Sequence, residues 1–261
     1  TFLKFINKIP FYGSAILCLD DPNIQSIIPS VEKRYITYGL SSQADYTARY
    51  ISIEGLKTYF NVFCRGKDLG RIRSGALGRH NVLNTLAAVA VGMELDIDFK
   101  IIANSLLKFE GVQRRFEIVK ESDEFTLIDD YGHHPAEIKA CLKTAKEVWP
   151  TRRLIVIFQP HRYSRTKALM KDFWSAFNDA DHLFVMDIYS AGENPIDKVH
   201  ASSIVEGVRK CGHKNNKYIE NNNDLNKYLL TLTKHGDVLM TLGAGDVWKL
   251  GRNFLGVKFS K

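Results

Sequence analysis

The sequence predicts an α/β protein in two parts: a mixed β-sheet with helices, followed by a mostly parallel α/β sheet. Residues 35–72 hold short alternating strands that glycines interrupt at hairpin spacing. From residue 125 onward, short apolar strands alternate with helical segments, which is typical of a parallel sheet covered on both faces. We therefore predict two domains, residues 1–110 and residues 111–261.

The first part begins with a segment, residues 2–6, that has the pattern of a helix end. A turn is predicted at residues 20–23, where two aspartates precede a proline and an asparagine. Gly55 and Gly66 separate the later strands. The predicted strands are residues 14–19, 35–38, 46–53, 57–63 and 69–72.

Two helices are predicted next, at residues 81–91 and 99–107. Asn81 and Asn84 are three residues apart, so both side chains lie on one face near the start of the first helix. Helix N-termini attract phosphates and polar ligands. Capping by His80 or Asn81 is the alternative explanation, and it leaves Asn84 without a role. Asn84 is therefore a candidate ligand-binding residue.

The second part opens with a plausible hinge at residues 111–117, which contains the adjacent pair Arg114 and Arg115. Such a pair either binds phosphate or is a solvated surface feature. Strands and helices then alternate. The predicted strands are residues 125–128, 154–158, 182–186, a short one near 218, and 238–241; the predicted helices are residues 136–148, 166–178, 202–210, 224–232 and 246–254.

The loop at residues 129–135, with the sequence DDYGHHP, is the stretch richest in chemically active side chains. It follows a strand and precedes a helix, and such loops bind ligands in open α/β sheets. Capping of the helix by Asp130 or His134, with Pro135 at the first helical position, explains only some of these residues. Tyr131 and His133 remain candidate site residues.

The loops after the other strands lie at the same predicted edge of the sheet. His161, Arg162 and Arg165 follow one strand, and two guanidinium groups at a helix start can clamp a carboxylate or a phosphate. An exposed basic loop is the alternative. The stretch 243–246, Gly-Ala-Gly-Asp, lets a backbone approach a ligand or a neighbour closely.

Composition excludes several classes of protein. Lys and Arg exceed Asp and Glu by 36 − 29 = 7, a modest positive charge that suits anionic substrates such as nucleotides. No basic arm is interleaved with aromatic residues, so nucleic-acid binding is not indicated. No apolar run is long enough to span a membrane, and no signal peptide is recognisable. The four cysteines are scattered, which fits reduced thiols in a cytosolic protein.

Several motifs that identify nucleotide-binding loops and hydrolases are absent from the sequence. The sequence contains no GxGxxG after a strand, no GxxxxGK[ST] phosphate loop and no GxSxG elbow. His133 and His134 are adjacent, and adjacent residues rarely both reach one metal ion. No third ligand is suitably spaced, so no metal site is predicted.

Four stretches together resemble the Mur ligases, the amide ligases of bacterial peptidoglycan precursor synthesis. They are residues 78–84 (GRHNVLN), 111–117 (GVQRRFE), 129–135 (DDYGHHP) and 158–165 (FQPHRYSR). The last two, with residues 187–189 (DIY) and 191–193 (AGE), resemble the branch of the family that adds L-alanine; residues 10–13 (PFYG) and 18–22 (CLDDP) do so as well. The likeness covers essentially the whole chain in order.

The resemblance implies the later part of a central ATP-binding domain, followed by a complete Rossmann-like C-terminal ligase domain. The family's UDP-binding domain, phosphate-binding loop and magnesium ligands lie upstream of these stretches. The chain begins with Thr1 rather than Met. We therefore expect a piece of a longer protein that is inactive alone.

By this resemblance the complete enzyme is an ATP-dependent acid–amino-acid ligase of the bacterial cytoplasm, with Mg²⁺ as an implied cofactor. ATP phosphorylates the lactyl carboxylate of UDP-N-acetylmuramate, and the amine of L-alanine then displaces phosphate from the acyl phosphate. Such chemistry requires charge neutralisation and tight positioning of two substrates.

The resemblance also implies roles for individual residues. Asn84 contacts the adenine, Arg115 contacts the ATP phosphates, and Asp130 accepts hydrogen bonds from the ribose hydroxyls. His133 and Arg115 are the candidate catalytic residues. The residues implied for the L-alanine pocket are Tyr131, His133, His161, Arg162 and Arg165, with the arginines on the carboxylate.

Alternatives to the alanine-adding ligase stay open. A sister ligase attaches recycled murein tripeptide, although Tyr131 with Arg162 and Arg165 favours a single amino acid. A non-catalytic nucleotide-binding module fits the lack of a phosphate loop. A hydrolase or transferase with His133 as base has no suitably placed nucleophile. Oligomeric state is not predicted.

Overall fold

The computed structural model describes residues 1–109 and 111–259. The chain divides into two compact units, residues 1–110 and 111–261. Both units are α/β, which confirms the predicted fold class. Within the described ranges, no helix combines the length and the apolar character that crossing a membrane requires.

The first unit is built on a five-stranded sheet in the order β1-β2-β3-β4-β5. Strand β2 is parallel to both β1 and β3, whereas β3, β4 and β5 form antiparallel hairpins. The glycines predicted to break the strands occupy the hairpin turns, with positive φ at Gly55 and Gly66. The strands are β1 (Ala15–Cys18), β2 (Tyr35–Gly39), β3 (Tyr46–Glu54), β4 (Lys57–Cys64) and β5 (Lys67–Ser74).

Four helices and one 3₁₀ turn complete the first unit. Two of the helices supply core residues such as Leu86 and Ile102, which pack with Phe60 and Val62 from the sheet. The helices are α1 (Phe2–Ile6), α2 (Pro22–Ile27), α3 (Arg79–Glu94) and α4 (Phe99–Lys108), and the 3₁₀ turn is Ile28–Ser30.

The turn predicted at residues 20–23 lies slightly earlier: the backbone N–H of Asp21 donates to the carbonyl of Cys18 at 3.3 Å, and helix α2 already begins at Pro22. The carboxylate of Asp21 accepts hydrogen bonds from the backbone N–H groups of Asn23 at 2.7 Å and Ile24 at 3.2 Å. Pro22 occupies the first helical position, where its missing N–H costs nothing. The same residue types therefore cap a helix here, directly after the turn.

The second unit is built on a six-stranded sheet in the order β10-β9-β8-β11-β7-β6. Five strands are mutually parallel, and only the edge strand β6 runs antiparallel. Parallel strands with helices on both faces are buried throughout, as the pattern LIVIF at residues 154–158 shows. The strands are β6 (Glu117–Lys120), β7 (Phe125–Asp130), β8 (Leu154–Phe158), β9 (His182–Met186), β10 (Asn216–Ile219) and β11 (Asp237–Leu242).

Strand β6 was not predicted: only its first residue, Glu117, lies in the predicted hinge, and residues 118–120 were assigned to no element. Six helices are described in residues 111–259. They are α5 (Pro135–Val148), α6 (Tyr163–Ala168), α7 (Met170–Trp174), α8 (Ala201–Lys210), α9 (Asn222–Leu232) and α10 (Val247–Phe259).

The single helix predicted at residues 166–178 is wrong. Helix α6 begins earlier, at Tyr163, and ends at Ala168, because the φ of −109° and ψ of 15° at Leu169 leave the helical region. Helix α7 then follows and ends before Ser175. The break sits between two short helices whose residues Thr166 and Phe173 are both buried.

Candidate active site

The candidate site lies at the carboxyl edge of the second sheet, where the loops after β7, β8, β9 and β11 meet. An isolated parallel bridge joins His161 to Tyr189 and so extends the pairing of β8 and β9 beyond the strands. The backbone N–H of Gly243 donates to the carbonyl of Asp130 at 3.1 Å. These bonds hold the loops as one surface.

Four aromatic rings form a row across this edge. The ring centroids of Tyr131 and His133 are 5.5 Å apart in an edge-to-face arrangement, and those of His133 and His161 are 5.6 Å apart. The ring of Tyr189 continues the row from His161 at 5.5 Å. Side chains from three separate loops therefore form one continuous wall, which we call the ring row (Tyr131, His133, His161 and Tyr189).

The imidazole of His133 is oriented by its own loop. Its Nδ1 lies 3.0 Å from the carbonyl oxygen of Tyr131. Because a carbonyl oxygen only accepts, Nδ1 carries the proton in this bond, and the neutral ring has its lone pair on Nε2. The geometry therefore leaves Nε2 of His133 as a proton acceptor.

Glu137 fixes the loop that carries His133. Its Oε2 accepts the backbone N–H groups of His133 at 3.0 Å and His134 at 3.1 Å, and His134 caps helix α5 in return. Burial opposes ionisation of Glu137, but these two bonds and the charges of His133 and Arg115 lower its pKa below the ordinary value. Capping thus accounts for His134 and Pro135, and it leaves Tyr131 and His133 for another role.

His161 faces one arginine directly. Nη1 of Arg165 lies 3.1 Å from Nδ1 of His161 and 3.3 Å from its carbonyl oxygen. A guanidinium only donates, so Nδ1 of His161 is unprotonated. Burial lowers the pKa of His161, and the charges of His133, Arg165 and Arg162 lower it further. His161 is therefore neutral near pH 7 and adds no charge to the site.

Arg162 has a strained backbone, with a φ of 70° and a ψ of 137°. Its N–H donates to the carbonyl of Tyr189 at 2.8 Å, and its own carbonyl accepts from the N–H and the hydroxyl of Thr166. A non-glycine residue in such a conformation costs about 1–3 kcal/mol, and residues of this kind cluster at active sites. The side chain is 49% exposed and lies at the open edge.

Arg114 and Arg115, which local pattern alone could not distinguish, differ sharply in environment. Nε of Arg114 pairs with buried Asp129 at 3.0 Å, and its Nη2 donates to the carbonyl of Gly243 at 2.6 Å. The side chain of Arg115 is 51% exposed, and its Nη1 lies 3.7 Å from Glu137. The side chain of Arg114 therefore stabilises the fold, whereas the guanidinium of Arg115 keeps N–H donors that are available to a ligand.

Asp130, predicted to contact a ribose, is almost completely enclosed by the protein. The residue is 3% exposed. One carboxylate oxygen accepts the backbone N–H of Phe116 and the other accepts that of Gly132, both at 2.6 Å. Burial raises the pKa of the neighbouring Cys141 thiol, and the charge of Asp130 adds to that effect. A carboxylate so enclosed has little capacity to accept bonds from ribose hydroxyls.

Asn84 lies in the first unit, on the exposed side of helix α3. This helix starts after Gly78, which has a φ of 92° and provides no side-chain cap, so the alternative explanation, capping by His80 or Asn81, does not hold. Asn81 instead donates to the carbonyl of Leu77 at 2.8 Å. Asn84 donates one amide hydrogen to Oδ1 of Asn81 at 3.1 Å, and its carbonyl oxygen can still accept a bond.

Sequence reasoning assigned no role to Tyr189, Glu137 or Glu193, although all three contact the site. The signal for Glu137 was available as the capping-box spacing from His134. Tyr189 and Glu193 depend on tertiary contacts that no local pattern reports. Within residues 1–109 and 111–259, no group of three or more His, Cys, Asp or Glu side chains could hold a metal ion.

Family models match both units. The description "Mur ligase middle domain" covers residues 1–92, and "Mur ligase, glutamate ligase domain" covers residues 114–245. Curated relatives named UDP-N-acetylmuramate–L-alanine ligase are similar along nearly the whole chain. The one from Geobacter sulfurreducens is 50% identical over 98% of this chain, and the one from Syntrophotalea carbinolica is 52% identical over 96%.

The chain spans about half the length of these relatives, 55% in both cases. Among solved structures, UDP-N-acetylmuramate-alanine ligase MurC from Thermotoga maritima matches with a TM-score of 0.76 at 28% identity, over 94% of this chain and 52% of that chain. A murein peptide ligase from Psychrobacter arcticus shares the fold with a TM-score of 0.70 at 20% identity, over 97% of this chain and 53% of that one. By sequence and by fold, the chain belongs to the Mur ligase family.

Proposed function

We propose that this chain forms part of an ATP-dependent ligase that joins L-alanine to UDP-N-acetylmuramate. The observation that carries the proposal is the grouping of Arg162, Arg165 and His133 along the ring row. Relatives about 50% identical bear the name of that activity, which supports the same assignment. Four free cysteines and the use of ATP fit the bacterial cytoplasm.

The amino-acid side of the reaction needs a carboxylate clamp and a proton acceptor. Arg162 and Arg165 supply two guanidinium groups for the carboxylate of L-alanine. Nε2 of His133 can take the proton that the amine loses as it attacks the acyl phosphate, and the carboxylate of Glu137 lies 3.9 Å from Nδ1 of the same ring. A nearby carboxylate stabilises the imidazolium that forms.

The chemistry balances without an oxidant or reductant. The γ-phosphoryl group of ATP passes to the carboxylate of UDP-N-acetylmuramate and leaves ADP. The amine of L-alanine then forms the amide bond as the bond between acyl carbon and phosphate oxygen breaks, and phosphate departs. This chain's residues would bind, orient and deprotonate the amino acid, and such positioning lowers the barrier to amide formation.

On the nucleotide side we propose Asn84 for the adenine and Arg115 for the phosphates. The exposed carbonyl oxygen of Asn84 can accept from an exocyclic amine. We leave Asp130 out of the ribose site, because its carboxylate is buried and already accepts two backbone bonds. Mg²⁺ belongs to this proposal as a cofactor of the complete enzyme, and we assign it no ligand among the described residues.

The proposal is tested in the protein expressed from the complete open reading frame. Arg162→Ala should raise the KM for L-alanine about tenfold or more, since one charge-assisted bond is worth roughly 1.5–3 kcal/mol. The KM for ATP should change little. Exposed Arg209, in the last turn of α8, provides the matched control as Arg209→Ala. Equal loss of alanine and ATP affinity in Arg162→Ala would contradict the assignment.

Two further experiments distinguish the proposed alanine-adding ligase from the sister ligase and from a nucleotide-binding module. Asn84→Ala should weaken ADP binding by about 1–3 kcal/mol in titration calorimetry, with Asn253→Ala on the exposed side of α10 as control. Offering murein tripeptide in place of L-alanine distinguishes the sister ligase, which would use the tripeptide better. A protein that binds ADP but turns over neither amino substrate would instead be a nucleotide-binding module.

A further inference from the structure

Glu193 lies beside the amino-acid site without a role in the proposed reaction. Its Oε1 accepts the hydroxyl of Ser164 at 2.7 Å, and its Oε2 accepts the backbone N–H of Ser164 at 2.9 Å. The same carboxylate lies 3.8 Å from Nη1 of Arg162. The bonds from Ser164, and then the charge of Arg162, lower the pKa of Glu193 below its ordinary value. Glu193 is therefore ionised at neutral pH.

The loop that carries Glu193 is shaped to bring it back to Arg162. Ala191 and Gly192 both have positive φ, 50° and 85°, and the N–H of Glu193 donates to the carbonyl of Ser190 at 3.0 Å. Two consecutive left-handed residues reverse the chain within one turn. The carboxylate is thus held in place by its own backbone as well as by Ser164.

The charges of Arg162, Arg165 and Glu193 at this end of the ring row sum to one positive unit. Arg162 and Arg165 contribute two positive charges, Glu193 contributes one negative charge, and His161 is neutral because its pKa is lowered by burial and by the adjacent cations. At the other end of the row, Arg115 and Glu137 lie 3.7 Å apart and cancel. One positive unit balances a single carboxylate.

We propose that Glu193 is a specificity determinant that restricts the site to amino acids with one carboxylate. This inference rests on the proposed function, since it assumes that Arg162 and Arg165 receive the amino acid. The single carboxylate of L-alanine is balanced by the one positive unit of Arg162, Arg165 and Glu193. An acidic side chain brings a second carboxylate close to the negative charge of Glu193, and like charges at short range repel. Specificity of this kind comes from a repulsive element built against the wrong substrate.

The decisive variant is Glu193→Gln, which keeps the length of the side chain and an oxygen that can accept from Ser164. The measurement is the ratio of kcat/KM for L-alanine to that for L-aspartate in the protein from the complete open reading frame. Glu193→Gln should lower this preference for L-alanine about tenfold or more, mainly because L-aspartate is used better. Glu193→Asp, which keeps the charge, should retain most of the preference.

A double variant tests charge balance separately from shape. Arg162→Gln with Glu193→Gln returns the net charge to one positive unit. The preference for L-alanine over L-aspartate should then recover, although both substrates bind more weakly. A purely structural role for Glu193 predicts no recovery, because the double variant is more altered than the single one. Glu206→Gln, at an exposed position on α8, is the control and should leave the ratio unchanged.

The outcomes separate this inference from the proposed function. If the unaltered protein uses neither amino acid, the proposed function fails. If it uses L-alanine and Arg165→Ala abolishes that use, but Glu193→Gln leaves the ratio unchanged, only the specificity role of Glu193 is overturned. Should Glu193→Gln not fold, as judged by circular dichroism, Glu193→Asp still decides the matter: it keeps the charge, so a lost preference for L-alanine in that variant counts against a role of the charge, and a retained preference supports it.

Discussion

The imidazole of His161 lies parallel to the phenol of Tyr189, with ring planes 9° apart and centroids separated by 5.5 Å. The backbones of the two residues are paired as well, because the N–H of Tyr189 donates to the carbonyl of Pro160 at 2.9 Å. Tyr189 therefore holds both the ring of His161 and the loop of Arg162, which leads into the helix that carries Arg165.

Tyr189→Ala should weaken L-alanine binding about fivefold, because a stacked aromatic pair contributes roughly 0.5–1.5 kcal/mol beyond its buried area. Tyr228→Ala is the matched control: Tyr228 is 40% exposed, as Tyr189 is, and it stacks on Phe184 away from the ring row. Titration calorimetry with L-alanine measures both variants. Equal effects of the two substitutions would argue that Tyr189 has no special relation to the site.

Arg114→Ala and Arg115→Ala should separate stability from nucleotide binding. Loss of Arg114 leaves Asp129 buried without its cation, which costs about 3–5 kcal/mol in unfolding free energy. Burial already raises the pKa of Asp129, partly offset by bonds from Thr241 and Arg114, so the variant should raise that pKa further. Arg115→Ala should change stability by less than about 0.5 kcal/mol, the usual range for surface positions.

Urea denaturation measures the unfolding free energy of each variant, and titration with ADP measures its affinity for the nucleotide. The expected result is a crossed pattern, with Arg114→Ala unstable and Arg115→Ala weak in ADP binding. If Arg115→Ala binds ADP as well as the unaltered protein does, Arg115 is not a phosphate ligand. If Arg114→Ala retains full stability, the pair with Asp129 is not a structural anchor.

Acidification should destabilise the second unit below about pH 6.5. The pKa values of His161, His182 and His213 are lowered, in each case first by burial. The unfolded chain therefore binds protons before the folded chain does, so stability is complete above the ordinary histidine pKa and is lost as the pH falls toward the folded values. Asp129, whose raised pKa acts in the opposite direction, moderates this loss.

The measurement is the unfolding free energy from urea titrations across this range of pH. Replacing the three histidines with glutamine should flatten the dependence on pH. An unchanged slope in the triple variant would show that other groups control the acid sensitivity.

Replacing each of two helical glycines with alanine should change the stability of the protein in opposite directions. A Cβ on Gly207 in α8 would lie 1.9 Å from Nε1 of Trp174, so Gly207→Ala forces the indole or the helix to move. Such overpacking costs about 1–3 kcal/mol. Among residues 1–109 and 111–259, no atom lies within 4 Å of a Cβ placed on Gly256 in α10, so Gly256→Ala should stabilise by about 0.5–1 kcal/mol through helix propensity. Thermal unfolding compares the two variants, and shifts in the same direction would contradict this reasoning.

The sequence was most informative where a pattern is local. Alternation of apolar strands with helices predicts the parallel sheet of the second unit, and the loop positions of His133, Arg162 and Arg165 follow from it. Their grouping needs only the rule that parallel strands end at one edge. The alternation of apolar strands and helices is therefore enough to predict the parallel sheet and the edge of that sheet at which the candidate site lies.

Prediction was weaker where a tertiary contact decides the outcome. Arg114 and Arg115 are identical in type and adjacent, and only the buried partner of Arg114 distinguishes them. The family resemblance implies that Asp130 contacts a ribose, but it does not report that the N–H groups of Phe116 and Gly132 donate to its buried carboxylate. No local pattern contains either fact.

The buried carboxylate of Asp130 has a mechanical consequence. One oxygen is tied to Phe116, directly after Arg115, and the other to Gly132, directly before His133. The segment proposed to meet the phosphates and the segment proposed to meet the amino acid thus share one rigid anchor. Displacement of either segment by its ligand is transmitted to the other over a few bonds, so occupancy of one subsite should bias the conformation of its neighbour.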